Sequence, residues 1–189
     1  MRYEKGRREL TRQHILDVAS AQFRENGLEG AGLAGIMSAA GLTNGAFYTH
    51  FKSKEDLVRE VLLDVLGRRA QQHKKNLENK VDLETTIRGY LSTRHRDGAG
   101  AGCPTAALVA EIARHSKKTR SAFTERISDI ISLMADQMSR GSAQERRRKA
   151  IAIYSTMVGA LQLSRAVDDR QLSAEILENA IDAALKLAN

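Results

Sequence analysis

Apolar residues recur at helical spacing along almost the whole chain, and no stretch alternates long enough to make a strand. The pattern predicts an all-α protein of about nine helices. A first helix is expected from Thr11 to Glu25, burying Ile15, Leu16, Ala19 and Phe23, and its start can reach back into the basic segment before it. Asn26-Gly27 suits a left-handed C-cap. From Leu33 to Ala40 a short helix presents Leu33, Ile36, Met37 and Ala40 on one face before Gly41-Leu42 breaks it. Thr43 is placed to cap a third helix, Asn44 to His50, with Phe47 turned inward. Ser53 is placed to cap a fourth, with Glu55 and Asp56 in its first turn and Leu57, Val58, Val61, Leu62, Val65 and Leu66 as its apolar stripe. Further helices are expected over Leu83–His95, Thr105–His115, Thr119–Arg140, Ala143–Asp168 and Ser173–Ala188. The glycine-rich segment from Asp97 to Gly102 reads as a flexible connection. The boundary between two modules falls at the fourth helix, giving a small domain over 1–55 and a larger one over 56–189.

Charge changes this picture most in the small domain. The chain carries a formal net charge of +7 with a sequence pI of about 9.8, and the basic excess is densest in the first 54 residues. That distribution points to a polyanion met by the N-terminal part. No apolar run reaches membrane-spanning length and the N-terminus opens on charged residues, so no membrane association and a cytoplasmic location are expected. Cys103 is the single cysteine, which excludes an intramolecular disulfide and the paired-cysteine zinc patterns, and neither metal nor cofactor is expected.

Two short helices joined by a glycine turn suit a helix-turn-helix head for the major groove, which admits one α-helix. Thr43, Asn44, Thr49 and His50 face outward, Gly45 and Ala46 permit close approach to bases, and Leu42 and Phe47 anchor the helix. The run Ala40-Gly41-Leu42-Thr43-Asn44-Gly45-Ala46-Phe47-Tyr48-Thr49-His50-Phe51-Lys52-Ser53-Lys54-Glu55-Asp56-Leu57, preceded by Ile15 to Ala19, Phe23, Asn26-Gly27 and Ile36, closely resembles the DNA-binding domain of the TetR family. The resemblance covers roughly residues 10–58. It implies an all-α homodimer that reads double-stranded operator DNA and carries a larger inducer-binding domain, dimerising through its last two helices. Carried over by position, residues 43–50 form the recognition helix, with Tyr48 and Lys54 on phosphates and Asn44, Thr49 and His50 on base edges. One departure is Ala31-Gly32-Leu33-Ala34-Gly35, where the family usually starts its second helix with a hydroxyl. That helix is expected to be weakly capped, with Arg7, Arg8 and Arg12 compensating on DNA.

In the larger domain Leu62, Leu66, Tyr90, Phe123, Ile127, Tyr154 and Met157 are candidates to line an apolar ligand cavity with two hydroxyls, and Cys103 is a candidate beside them. Ile151, Ile153, Met157 and Leu161, with Leu172, Ile176, Leu177, Ala180, Ile181, Ala184 and Leu185, give the last two helices surface for a four-helix interface, where Gly159 and Ala160 allow close approach. Pro104 at a helix N1 position leaves Cys103 as N-cap, a setting that favours the thiolate, with Arg94, His95 and Arg96 near it in sequence. Two readings follow for the cysteine besides a structural one: a sensor of oxidants or electrophiles in a DNA-binding repressor, or the nucleophile of a helical enzyme with His95 or His115 as base.

Overall fold

Caps that the sequence supplies set most of the helix starts: the side chains of Thr43, Ser53, Asp82, Ser92, Ser116 and Ser142 each accept a hydrogen bond from the backbone N–H three residues on. A computed structural model of the chain describes residues 2–188, which form ten α-helices and a 3-10 turn, with no strand among them. The helices are α1 (Arg2–Gly30), α2 (Leu33–Ala39), α3 (Asn44–Phe47), α4 (Lys54–Glu78), α5 (Leu83–Tyr90), α6 (Thr93–Asp97), α7 (Pro104–Ile112), α8 (Lys117–Asp136), α9 (Ala143–Ala166) and α10 (Arg170–Ala188), with the 3-10 turn over Ala99–Ala101. None is long and apolar enough to cross a membrane.

Three boundaries differ from the pattern reading, each for a local reason. The first helix takes in the basic segment and bends at Gly27, whose φ of 77° and ψ of 167° lie outside helical space. The helix expected over Leu83–His95 is two, because Ser92 adopts extended backbone and caps α6 while Leu91 closes α5; the extra helix makes the total ten. The glycine segment after Asp97 is a packed turn: a Cβ on Gly100 would lie 2.1 Å from Glu25 Oε1, and Arg24 Nε donates to the Gly100 carbonyl. Its glycines permit close approach to α1 rather than slack.

A single apolar core runs through both ends of the molecule. Around α1, α2 and α3 it holds Ile15, Leu16, Phe23, Ile36, Met37, Phe47 and Phe51, all nearly or fully enclosed. The remaining helices continue it, α4 packing on α8, α8 on α9 and α9 on α10.

Polar contacts join α1 to the rest. Glu111, at the end of α7, accepts from the backbone N–H of Leu28 at 2.8 Å and of Glu29 at 3.3 Å, just past the Gly27 bend. Glu55 at the start of α4 meets His115 Nδ1 at 2.7 Å and accepts from Thr119 Oγ1 at 2.6 Å. Burial works to raise the Glu55 carboxyl, but hydrogen bonds from Thr119, Ser116 and His115 prevail and hold it at about 2. Because the folded value is depressed, its contribution is complete above the free carboxyl range and is lost as pH falls from about 4.5 toward 2. Urea denaturation of wild type and Glu55→Gln is therefore expected to show a stability difference at pH 6 that narrows by pH 3. A difference independent of pH would contradict the ionic role of Glu55.

Candidate DNA-reading head and ligand chamber

Thr43, with extended backbone, caps α3 from its Oγ1 to the Ala46 N–H, and Gly41 turns the chain between α2 and α3 at φ 67°. Phe47 then points into the core, stacked on Phe51 with ring centroids 5.6 Å apart, and fixes which face of α3 looks outward. That face carries Asn44, Gly45, Tyr48 and Thr49, with Thr43 beside them. Tyr48 is 68% exposed, an aromatic ring that meets Phe47 edge-on and otherwise stands in solvent. Thr49 Oγ1 donates to the Ala46 carbonyl, while the Thr49 carbonyl accepts from Arg8 of α1. Arg8 and Arg12 thus flank the exposed face, Arg12 over the Phe51 ring and paired with Glu60.

The α-helix proper ends at Phe47, three residues short of the sequence expectation; 48–50 continue as turns, with the N–H groups of Thr49 and His50 bonded to carbonyls three residues back. His50 is half-buried against Phe51, and burial, then Arg8 and Arg12, pushes its imidazole below its ordinary value. Ala46 is half-buried too, and Lys54 Nζ reaches the Glu29 carbonyl from the first turn of α4. Gly32 begins α2 without a side-chain cap, as the missing hydroxyl predicts.

In the larger part of the molecule Leu66, Tyr90, Cys103, Tyr154 and Met157 converge on one small chamber of about 20 Å³, completed by Arg69, His73, Ile130 and Met134. Three further candidates lie elsewhere. Leu62 is spent in the core, and Phe123 and Ile127 pack against the core from α8 without lining the chamber. Helical spacing marks a face that turns inward, but not which inward side chains border a void.

Cys103 is 4% exposed and is the N-cap residue of α7, with Pro104 opening the helix. Of its sequence neighbours, His95 is the one that reaches it, and it meets the backbone: His95 Nε2 accepts from the Cys103 N–H at 2.9 Å while Nδ1 lies 2.6 Å from the Tyr90 carbonyl. These bonds assign the proton to Nδ1 and commit the Nε2 lone pair, so His95 is not poised to take a proton from the thiol. His115 is engaged with Glu55, and Arg96 with Asp97 and Ser173. Neither histidine of the enzyme reading is placed as a base. Tyr154 donates to Thr105 Oγ1 at 3.0 Å, whereas Tyr90 Oη is shut off from solvent with no nitrogen or oxygen partner among the described residues, only the Cys103 thiol lying beside it. Burial drives the Tyr90 hydroxyl well above its ordinary range, and the adjoining Cys103 adds to the effect.

Residues 15–61 match the family profile described as bacterial regulatory proteins, tetR family, and residues 82–179, more than half of the chain, match the LmrA/YxaF-like transcriptional regulator C-terminal domain. The chain belongs to the TetR family. Among relatives of this TetR-family chain, AcrR of Shigella flexneri is 53% identical over 51 residues, 27% of this chain and 24% of that protein. KstR2 of Rhodococcus jostii is 31% identical over 84 residues, 44% of this chain and 41% of that protein, so these two matches span less than half of either relative. The repressor NemR of Escherichia coli K12 is 26% identical over 186 residues, 90% of each chain. The reduced form of E. coli NemR has the same fold at a TM-score of 0.77, with 24% identity over 93% of this chain and 95% of that one. Bacillus subtilis FadR, solved with stearoyl-CoA, superposes at 0.65 with 17% identity over 89% and 97%.

Proposed function

We propose that this chain is a ligand-responsive transcriptional repressor whose head, residues 1–55, reads a near-palindromic operator as part of a homodimer, and whose body, residues 56–189, receives a small-molecule inducer. One observation carries the reading. Helix α7 is capped beside the chamber by Cys103 and carries in its last turn Glu111, whose carboxylate holds the C-terminal part of α1. A change at the chamber that displaces α7 thereby acts on the head, and a ligand favouring the displaced state weakens DNA binding by its difference in affinity for the two states.

The test is fluorescence anisotropy with DNA from upstream of the protein's own gene and a shuffled control at one fixed salt concentration. A preference of about 10³ or more for the native DNA is expected. Lys54→Ala should weaken binding to all sequences and lower the salt slope by about one, and Tyr48→Ala should weaken it with little change in folding. Equal affinity for both DNAs would defeat the operator reading. Among Thr43, Asn44, Thr49 and His50, Asn44 is the exposed side chain with no partner among the described residues and is our first choice for base recognition.

For the dimer we propose α9 and α10, as the family resemblance implies. Much of the apolar surface counted from sequence is consumed inside the protomer: Ile153, Met157, Leu161, Leu177, Ala180 and Ala184 are buried. What remains well exposed is Ile151 and Leu172, joined by Leu163, which is 59% exposed, and Leu187, while Ile176, Ile181 and Leu185 are partly buried. Leu163→Glu is expected to give monomers in light-scattering chromatography at concentrations where the wild type is dimeric, with the operator affinity of single heads. A dimeric Leu163→Glu protein would move the interface away from this patch.

The similarity to NemR, whose comparison structure is its reduced form, and the enclosure of Cys103 between two tyrosines favour a second input at the thiol. An oxidant or electrophile adding to Cys103 has no room in a chamber of about 20 Å³ and would displace its walls. DNA release on oxidant treatment that persists in Cys103→Ser would remove this input.

A further inference from the structure

We propose that the inducer is a small organic anion, its carboxylate or phosphate seated on Arg69 and an oxygen acceptor of its body seated on Tyr90 Oη. The proposal rests on the ligand-responsive reading and names the chemistry that reading leaves open.

Arg69 stands one turn beyond Leu66 on α4 and borders three spaces at once. These are the chamber, a cleft of about 500 Å³ between α1, α4 and the 3-10 turn, and a cleft of about 270 Å³ between α4 and α5. Its neighbours on α4 have partners: Arg59 pairs with Asp56 and Glu60, and Arg68 with Asp17 and Asp64. Arg69, half-buried, makes neither an ion pair nor a hydrogen bond among the described residues. Across the larger cleft Arg24 meets only neutral oxygens, those of Ser20 and Gly100, and burial followed by repulsion from Arg69 and Arg68 lowers its affinity for a proton. Two guanidinium groups that make no ion pair among the described residues thus face one opening, and the carboxylate that lines it, Asp17, is held by Arg68.

The second observation is independent of charge. Tyr90 Oη and His73 Nδ1, both on the chamber wall, are enclosed with no nitrogen or oxygen partner among the described residues; beside Tyr90 Oη lies the Cys103 thiol, a weak acceptor that a ligand oxygen would replace. A buried polar group left unpaired is unfavourable and finds its complement in a bound molecule or an ordered water. The phenol stays protonated at neutral pH, so it offers a donor and calls for an acceptor. Burial, then Arg69, pushes the His73 imidazole down, so it is neutral and does not compete with Arg69 for the anion. Tyr154 is already satisfied by Thr105, which leaves Tyr90 as the free hydroxyl. The chamber holds about one water as it stands, and the adaptable side chains that can yield to a ligand body are Met134 and Met157. A neutral ligand would leave Arg69 unmatched, and a cation would be repelled.

Calorimetric and thermal-shift titrations of the full-length protein with benzoylformate, 3-benzoylpropionate and phenyl phosphate, against methyl benzoylformate and methyl 3-benzoylpropionate, test this. Each acid with a counterpart is expected to bind about tenfold or more tightly than its ester, as a charge-assisted bond to guanidinium allows. Arg69→Gln should erase that preference and Arg69→Lys retain part of it, while Tyr90→Phe should weaken acid and ester alike by about five- to tenfold. All three variants should melt near the wild type, since neither removed group makes an ion pair or a hydrogen bond to nitrogen or oxygen among the described residues. Equal binding of acid and ester, binding indifferent to Arg69→Gln, or no binding of any acid overturns the proposal. The same titrations with operator DNA present separate the two ideas. Esters that release DNA where acids do not would sink the anion and keep the ligand response; Arg69-dependent acid binding that leaves the DNA complex intact would keep the anion site and sink the response.

Discussion

Phe47→Ala is expected to abolish operator binding by melting the reading head. The ring is fully enclosed, stacked on Phe51 and flanked edge-on by Tyr48, and it is the side chain by which a four-residue helix is held to the rest of the head. So short a helix has no stability of its own and takes its orientation from this one anchor. Truncating a buried phenylalanine costs about 3–5 kcal/mol, in transfer energy and in the cavity left behind. In a chain of this size that corresponds to a fall in melting temperature of about 6–20 °C. Tyr48→Ala, one residue on, removes an exposed ring and should change stability by no more than about 0.5 kcal/mol while still weakening DNA binding. Calorimetry and DNA anisotropy on the two variants separate folding from contact. If Phe47→Ala melted as the wild type does and still bound DNA, the head would have to be held by something other than this ring.

Glu111→Ala is expected to uncouple the head from the ligand chamber. Removing the carboxylate leaves the Leu28 and Glu29 N–H groups without their acceptor at the point where Gly27 has taken the chain out of helical geometry. Leaving the partly buried Leu28 donor unpaired costs about 1–3 kcal/mol, and here the loss falls on the joint itself. The expected result is a dimer that still binds ligand and DNA, with faster amide exchange at Leu28 and Glu29 and little response of DNA affinity to ligand. Glu111→Gln, which keeps an acceptor oxygen, should restore most of the coupling. Gly27→Ala reaches the same joint from the other side, since a Cβ there would lie 3.0 Å from Glu111 Oε1 at a φ that L-residues rarely adopt. Full ligand response in Glu111→Ala would place the coupling elsewhere, with Glu55 and its contacts to His115 and Thr119 the next candidate.

The head was legible in the sequence because its determinants are local. Gly41 makes its turn, Thr43 and Ser53 cap the helices they precede, and Phe47 and Phe51 bury themselves four residues apart. The chamber was legible in part. Leu66, Tyr90, Cys103, Tyr154 and Met157 do meet there, whereas Phe123 and Ile127, equally apolar and equally periodic, do not. Arg69 and His73 were passed over because a polar residue on an amphipathic helix reads as solvent-facing until the neighbouring helices are placed.

What the sequence by itself determined is the all-α class, the helix-turn-helix and its exposed face, and Cys103 as the N-cap of α7, since each depends on residues a few positions apart. The tertiary structure alone decided that Glu111 holds α1 from 83 positions away, that His95 spends its lone pair on the Cys103 backbone, and that Arg69 stands at a chamber wall without an ion pair among the described residues. Pairings of that kind are set by how α1, α4, α7 and the 3-10 turn pack together, and helical periodicity specifies which face is buried without specifying what it is buried against.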